Sequence, residues 1–290
     1  MSTSRRLIVA AIVAPVLAGV LACDRGNGIK LTLRYHPPAG ATYHYTLEQR
    51  TNVKFQGGPM AKEPEQQLAI HMHFTQVVTG PAKDGVGVTV RFDSTTMDSP
   101  LMAQGGYGPA LDRMRGLTSN VVYDDRMNVV HAGFTNIGGA LSPILDLLGK
   151  NLKGMTFPLP EQPVGPGDSW TAEIELPISQ AAGGGAPTMA KTKLTVKEIH
   201  ADGPDTTVLI ALVTTYPEDP IKVEQQGQVV TLKLSGTLKG DQLFSLTRGA
   251  VVRSLIGGTM QIKMTGGVVG AEGSNISMKQ STSLQLREAP

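Results

Sequence analysis

The chain has 290 residues, a formal net charge of +2, 17% charged and 40% hydrophobic residues, and a mean hydropathy of −0.04. That balance excludes a disordered polyelectrolyte and a protein of many membrane spans, and it leaves ample chain for a core. With 4% aromatic residues and scattered basic ones the chain lacks the surface of a nucleic-acid binder, and a single cysteine excludes an internal disulfide framework or a CxxC metal site.

Arg5-Arg6 precede an uncharged apolar run from Leu7 to Ala22. The run has the length of a secretory signal and is short for a membrane span of about 20 residues. It ends in Val20-Leu21-Ala22-Cys23, which resembles the bacterial lipoprotein signal: an aliphatic residue at −3, a small one at −1, then the cysteine that takes the lipid. Leu21 at −2 is a less usual choice. The resemblance implies that residues 1–22 are a signal peptide and that Cys23 becomes the amino terminus, carrying diacylglycerol and a further acyl group such as palmitate. Several chains at about 0.8 kcal/mol per buried methylene make such an anchor stable. The expected location is the bacterial cell envelope, on a membrane facing the periplasm or exterior. Asp24 resembles the inner-membrane retention residue of enteric lipoproteins, a code that does not transfer to other bacteria, so the leaflet stays open. Loss of residues 1–22 removes Arg5 and Arg6 and no acid, which leaves 24 basic against 24 acidic residues. Residues 23–28 then form a short lipidated tether reaching about 17 Å.

From Ile29 onwards the pattern is period two. Tyr43, Tyr45 and Leu47 alternate with His44, Thr46 and Glu48; Ile70, Met72 and Phe74 with His71, His73 and Thr75; Val86, Val88, Val90 and Phe92 repeat it. Leu194-Val196, Val230–Leu234, Met260–Met264 and Leu284–Leu286 read alike, and Thr207–Val213, apolar on both faces, predicts a central strand. Turn signals at Lys83-Asp84-Gly85, Ala201-Asp202-Gly203 and Arg248-Gly249 favour antiparallel pairing. With 34 Gly and 19 Pro, short strands and many turns are expected.

Two segments break the alternation. Pro109–Arg115 predicts a short helix, and Ser142 as N-cap, Pro143, the apolar Leu141, Ile144, Leu145, Leu148 and Leu152, and Gly154 predict a second. Gly40-Ala41-Thr42-Tyr43 and Gly167-Asp168-Ser169-Trp170 open comparable strand series, so residues 29–156 and 167–290 read as two similar halves around a Pro-rich connector at 157–166. The predicted fold is mainly β: antiparallel curved sheets with one or two short covering helices between the halves.

Catalytic chemistry finds little footing. Ser169 in Gly-Asp-Ser follows a Pro-rich loop and leads into a strand, the wrong setting for a nucleophile, and the chain has no Gly-x-Ser-x-Gly elbow or phosphate loop. His71 and His73 share one strand face, with His44 on a neighbouring strand, which makes them weak metal candidates without a supporting carboxylate or cysteine. Asp124-Asp125 and Glu218-Asp219 read as solvated turns, and Trp170 as a core anchor. No catalytic residue, cofactor or metal is assigned.

The lipobox, the Gly-x-x-Tyr step and the second half opening on Gly-Asp-Ser-Trp together resemble a family of uncharacterised bacterial envelope lipoproteins. More distantly the chain is similar to half-barrel lipoprotein carriers, whose curved sheet cradles acyl chains. These resemblances imply a non-enzymatic protein, anchored through Cys23, that binds a hydrophobic ligand or an envelope partner; an assembly lipoprotein without a cavity is the alternative, and a hydrolase or metal protein a third.

Overall fold

The computed structural model describes residues 29–57, 59–99, 114–135, 157–176, 188–225, 228–267 and 273–287. Cys23, the helix expected from Ser142 to Leu152 and most of the one expected at Pro109–Arg115 lie outside these residues; Met114–Gly116 form a turn.

Twelve strands follow one another: β1 (Thr42–Gln56), β2 (Gln66–Ala82), β3 (Gly85–Asp98), β4 (Thr118–Tyr123), β5 (Val129–Thr135), β6 (Ser169–Leu176), β7 (Thr188–Asp202), β8 (Asp205–Thr215), β9 (Ile221–Gln225), β10 (Gln228–Ser245), β11 (Ala250–Gly266) and β12 (Ser274–Arg287). They form a single sheet in the order β5-β4-β3-β2-β1-β12-β11-β10-β8-β7-β6, with β9 paired to β10. Every pairing is antiparallel. β1 to β5 trace a meander, β6, β7, β8, β10 and β11 trace a second series with β9 off its path, and β12 lies between β11 and β1. The expected turns at 83–85, 201–203 and 248–249 join β2 to β3, β7 to β8 and β10 to β11. β8 lies inside the sheet, as its two-faced apolar sequence requires.

The expectation of short strands is corrected: β10 runs for 18 residues and β11 for 17. Their glycines do not end the strands but crease them. A Cβ on Gly240 would lie 2.1 Å from the Leu255 carbonyl oxygen, and one on Gly258 2.1 Å from that of Thr237. Without side chains there, the two backbones approach closely enough to coil.

Curvature follows from a distance argument. Ten inter-strand spacings of about 4.8 Å would hold β5 and β6 about 48 Å apart in a flat sheet. Instead the Arg126 Nε, in the β4–β5 turn, donates to the Leu159 carbonyl at 2.8 Å, and the Trp170 Nε1, in β6, donates to the adjacent Pro158 carbonyl at 2.8 Å. Two edges of the sheet thus bind consecutive residues of one segment. The sheet is rolled, and residues 157–168 strap its margins together.

The amino-terminal segment completes the strap. Leu31 and Val164 exchange backbone hydrogen bonds of 2.8 and 2.9 Å, and the Tyr35 N–H donates to the Asp125 carbonyl at 2.7 Å. The Arg34 guanidinium donates to the Pro160 and Glu161 carbonyls and pairs with Asp125 at 3.0 Å. Asp124 orders its turn by accepting the Arg126 and Asn128 N–H groups, so the Asp124-Asp125 pair works as a turn and a tie to the strap. Gly249, in the left-handed region at φ +56°, lets the chain at His36 pass within 2.5 Å of where its Cβ would stand. Leu33, Leu159, Phe92, Phe244 and Leu194 are fully buried beneath this closure. The main core therefore sits where strap and rolled sheet meet, which we call the closed end; β10, β11 and the β1–β12 seam extend away from it to an end that has no such strap among the described residues, which we call the open end.

Candidate functional site

Strand alternation defines an inner face. Along the seam the inward residues of β1 and β12 pair as Leu47 with Leu284, Gln49 with Thr282, Thr51 with Gln280, Val53 with Met278 and Phe55 with Ile276. The row continues through Met260 and Ile262 of β11 to Leu234 of β10, and on the other side through Ile70 and Met72 of β2. The methionines predicted on apolar strand faces, Met72, Met260 and Met264, all fall on this side. Within the described strands no Asp, Glu, Lys, Arg or His takes an inward position; Glu48, Lys54, Lys233, Lys263 and Lys279 fall on the alternate ones. A charge left unpaired on such a face would cost several kcal/mol, and the described strands place none there.

Burial varies along this face. At the closed end Val208, Ile210 and Phe244 are fully buried. Further along, Val53, Phe55, Ile70, Met260 and Met278 are half-buried, and beyond them Val223, Val230 and Leu232 form a second, small buried cluster beside Ile262 and Met264. Tyrosines mark the closed end: the Tyr45 hydroxyl donates to the Val251 carbonyl at 2.9 Å and that of Tyr43 to Arg248 at 2.8 Å, while the Tyr35 and Tyr123 rings stand 5.1 Å apart. Burial disfavours their ionisation, raising Tyr35 and Tyr45 well above the usual phenol range and Tyr123 to about 12.

Neutral polar residues share the inner face with the apolar ones: Gln242 and Ser254 stand in register beside Leu284, Thr192 meets Thr214, and four more gather midway along the β1–β12 seam. The Gln49 Nε2 donates to Thr51 Oγ1 at 3.4 Å, and the Gln280 Nε2 to Thr282 Oγ1 at 3.3 Å. Because Gln49 pairs with Thr282 and Thr51 with Gln280, the two Gln-x-Thr steps are related by a local two-fold. Sequence reading missed this pad. The signal was available: continuing the inward parity of Tyr43, Tyr45 and Leu47 by two more steps reaches Gln49 and Thr51.

The outward face holds the histidines. His71 and His73 do share it, but each has its own partners: the His71 Nδ1 stands 3.8 Å from Glu48, and His73 meets Thr46 and the Arg287 guanidinium. A cation resting on His73 is the wrong neighbour for a metal ion. His44 pairs with Thr75, which donates to Asp93 at 2.6 Å. Among the described residues no group of three or more His, Cys, Asp or Glu converges. A shallow outer dimple of about 210 Å³ at the open end is lined by polar side chains, Lys233, Gln261 and Lys263 among them.

Ser169 begins β6, exposed, in the turn-then-strand context expected. The Asp168 carboxylate is committed to the Gly165 N–H at 2.9 Å and to Lys30 at 3.2 Å. The backbone hydrogen bond first, then Lys30, holds it below the usual carboxylate range. Trp170 is half-buried on the inner side with its indole tied to the strap.

No protein-family model and no curated protein matches the chain. The fold is similar to a solved structure reporting lipid–protein interactions in lipovitellin, with a TM-score of 0.50 and 11% identity over 88% of this chain. The match spans 26% of that molecule, about a quarter of its length. At this identity the likeness is one of fold alone.

Proposed function

We propose that the chain is a non-enzymatic, lipid-anchored protein of the bacterial cell envelope whose trough holds a hydrophobic ligand. The observation that carries the reading is the inner face: rich in apolar side chains, half-buried along the β1–β12 seam, and free of charged side chains along every described strand. The neighbouring fold, from a structure concerned with lipid–protein interactions, supports it. In this reading residues 1–22 are removed and Cys23 carries the lipid.

The test has two arms. Membrane fractionation of the Cys23→Ser variant should move the protein from the membrane to the soluble fraction. Organic extraction of the purified protein, followed by mass spectrometry, should find acyl lipid in near-stoichiometric amount. Ile262→Lys, which places a charge on the inner face, should expel that lipid, whereas Gln261→Lys, on the outer face, should not. An empty wild-type protein that takes up no added lipid removes the carrier reading and leaves an assembly role.

A further inference from the structure

Resting on the carrier reading, we infer that the Gln49/Thr51/Gln280/Thr282 pad is a recognition site for the ester groups of an uncharged glycerolipid. A trough built only to hold hydrocarbon needs no polar groups midway along it, because each polar side chain facing hydrocarbon forfeits hydrogen bonds to water. Here four such side chains stand together at the seam, with Leu47 and Leu284 on the closed side and Val53 and Met278 on the open side. The two amides make only the long bonds to their own threonines, 3.4 and 3.3 Å, so each keeps a second N–H and its carbonyl oxygen for another partner.

A second unsatisfied polar group stands on the same face, two strands across from Leu47. Thr95 of β3 pairs with Met72, which in turn pairs with Leu47. Its Oγ1 is buried and has no hydrogen-bond partner. An orphaned hydroxyl is costly, and an acceptor brought in by a ligand relieves it.

The chemistry of the pad selects the ligand class. Amide N–H and hydroxyl groups are neutral donors that suit ester carbonyls. A carboxylate or phosphate is best matched by a cation, and the inner face of the described strands offers none. Cβ atoms on the diagonal of an antiparallel pair stand about 7–8 Å apart, and the reach of two glutamine side chains brings their amides to two esters on one glycerol backbone. The acyl chains then run along Ile70 and Leu68 on one side and Met260 and Met278 on the other.

Native mass spectrometry of the full chain released from detergent micelles tests the assignment. The probes are dioleoylglycerol, its dialkyl ether analogue of equal chain length, and oleate. The expected result is at least a tenfold preference for the diester over the diether, and weak uptake of oleate. In the double variant Gln49→Leu/Gln280→Leu the diester preference should fall to about one while diether binding persists. Equal wild-type uptake of ester and ether, or a preference for oleate, overturns the assignment and leaves the carrier reading standing. Uptake of none of the three overturns both. The wild-type comparison decides even if the double variant does not fold.

Discussion

Leu159→Ala is the sharpest probe of the strap. Leu159 is 1% exposed and sits between the carbonyls held by Arg126 and Trp170. Truncation removes three carbon groups at about 0.8 kcal/mol each, about 2.4 kcal/mol, and the residual cavity raises the loss to about 3–4 kcal/mol. Leu238→Ala offers the control, since Leu238 faces inward but is only half-buried in the crease of β10; its loss should be about 1 kcal/mol. The chain carries one tryptophan, and its indole is bonded to the strap itself. Urea unfolding followed by Trp170 fluorescence therefore reports the closure directly. At a slope of about 3 kcal/mol per molar, the Leu159 midpoint should fall by about 1 M with unchanged slope. Equal losses at the two sites, or a Leu159 loss below about 1 kcal/mol, would refute the view that the strapped end is the core.

Gly240→Val should destabilise the fold by several kcal/mol or abolish it, because its Cβ would enter the Leu255 carbonyl; a thermal midpoint within about 2 °C of wild type contradicts the crease. Above pH 10 stability should fall steeply. Tyr35, Tyr45 and Tyr123 stay protonated in the fold and ionise once unfolded, so each contributes stability that is complete below pH 10 and is lost at about 1.4 kcal/mol per pH unit above it. Urea midpoints that stay level between pH 9 and 11.5 would rule this out. At the acid side the sign reverses: Asp168 is held below its ordinary value, so its contribution is present at neutral pH and lost as pH falls through the lowered one. Asp168→Asn should flatten the acid limb of the stability profile, and an unchanged limb would show that the turn does not feel the charge.

Much of the sheet was legible because each strand carries its own two-residue rhythm, and turns such as Lys83-Asp84-Gly85 name neighbours a few residues apart. The β1–β12 seam was not. No local signal links His44 to Arg287, and that pairing turns two meanders into one sheet. Glycine misled in a specific way: composition treats Gly236, Gly240 and Gly258 as breakers, whereas inside long strands they remove the side chains that would stop the sheet from coiling. Residues 157–166 read as a connector from their prolines, yet their free carbonyls are what Arg34, Arg126 and Trp170 bind. The pad escaped notice because Gln49 and Thr51 look like the end of an amphipathic pattern when they are its continuation.

The seam has a consequence for how the molecule comes into being. Thr46 and Arg287 meet across 241 residues of chain. Synthesis proceeds from the amino terminus, so β1 waits for β12 with one row of backbone donors and acceptors unmatched and one apolar face uncovered. Pairing at such separation is slow, and loss of β12 would strike the centre of the sheet rather than its margin.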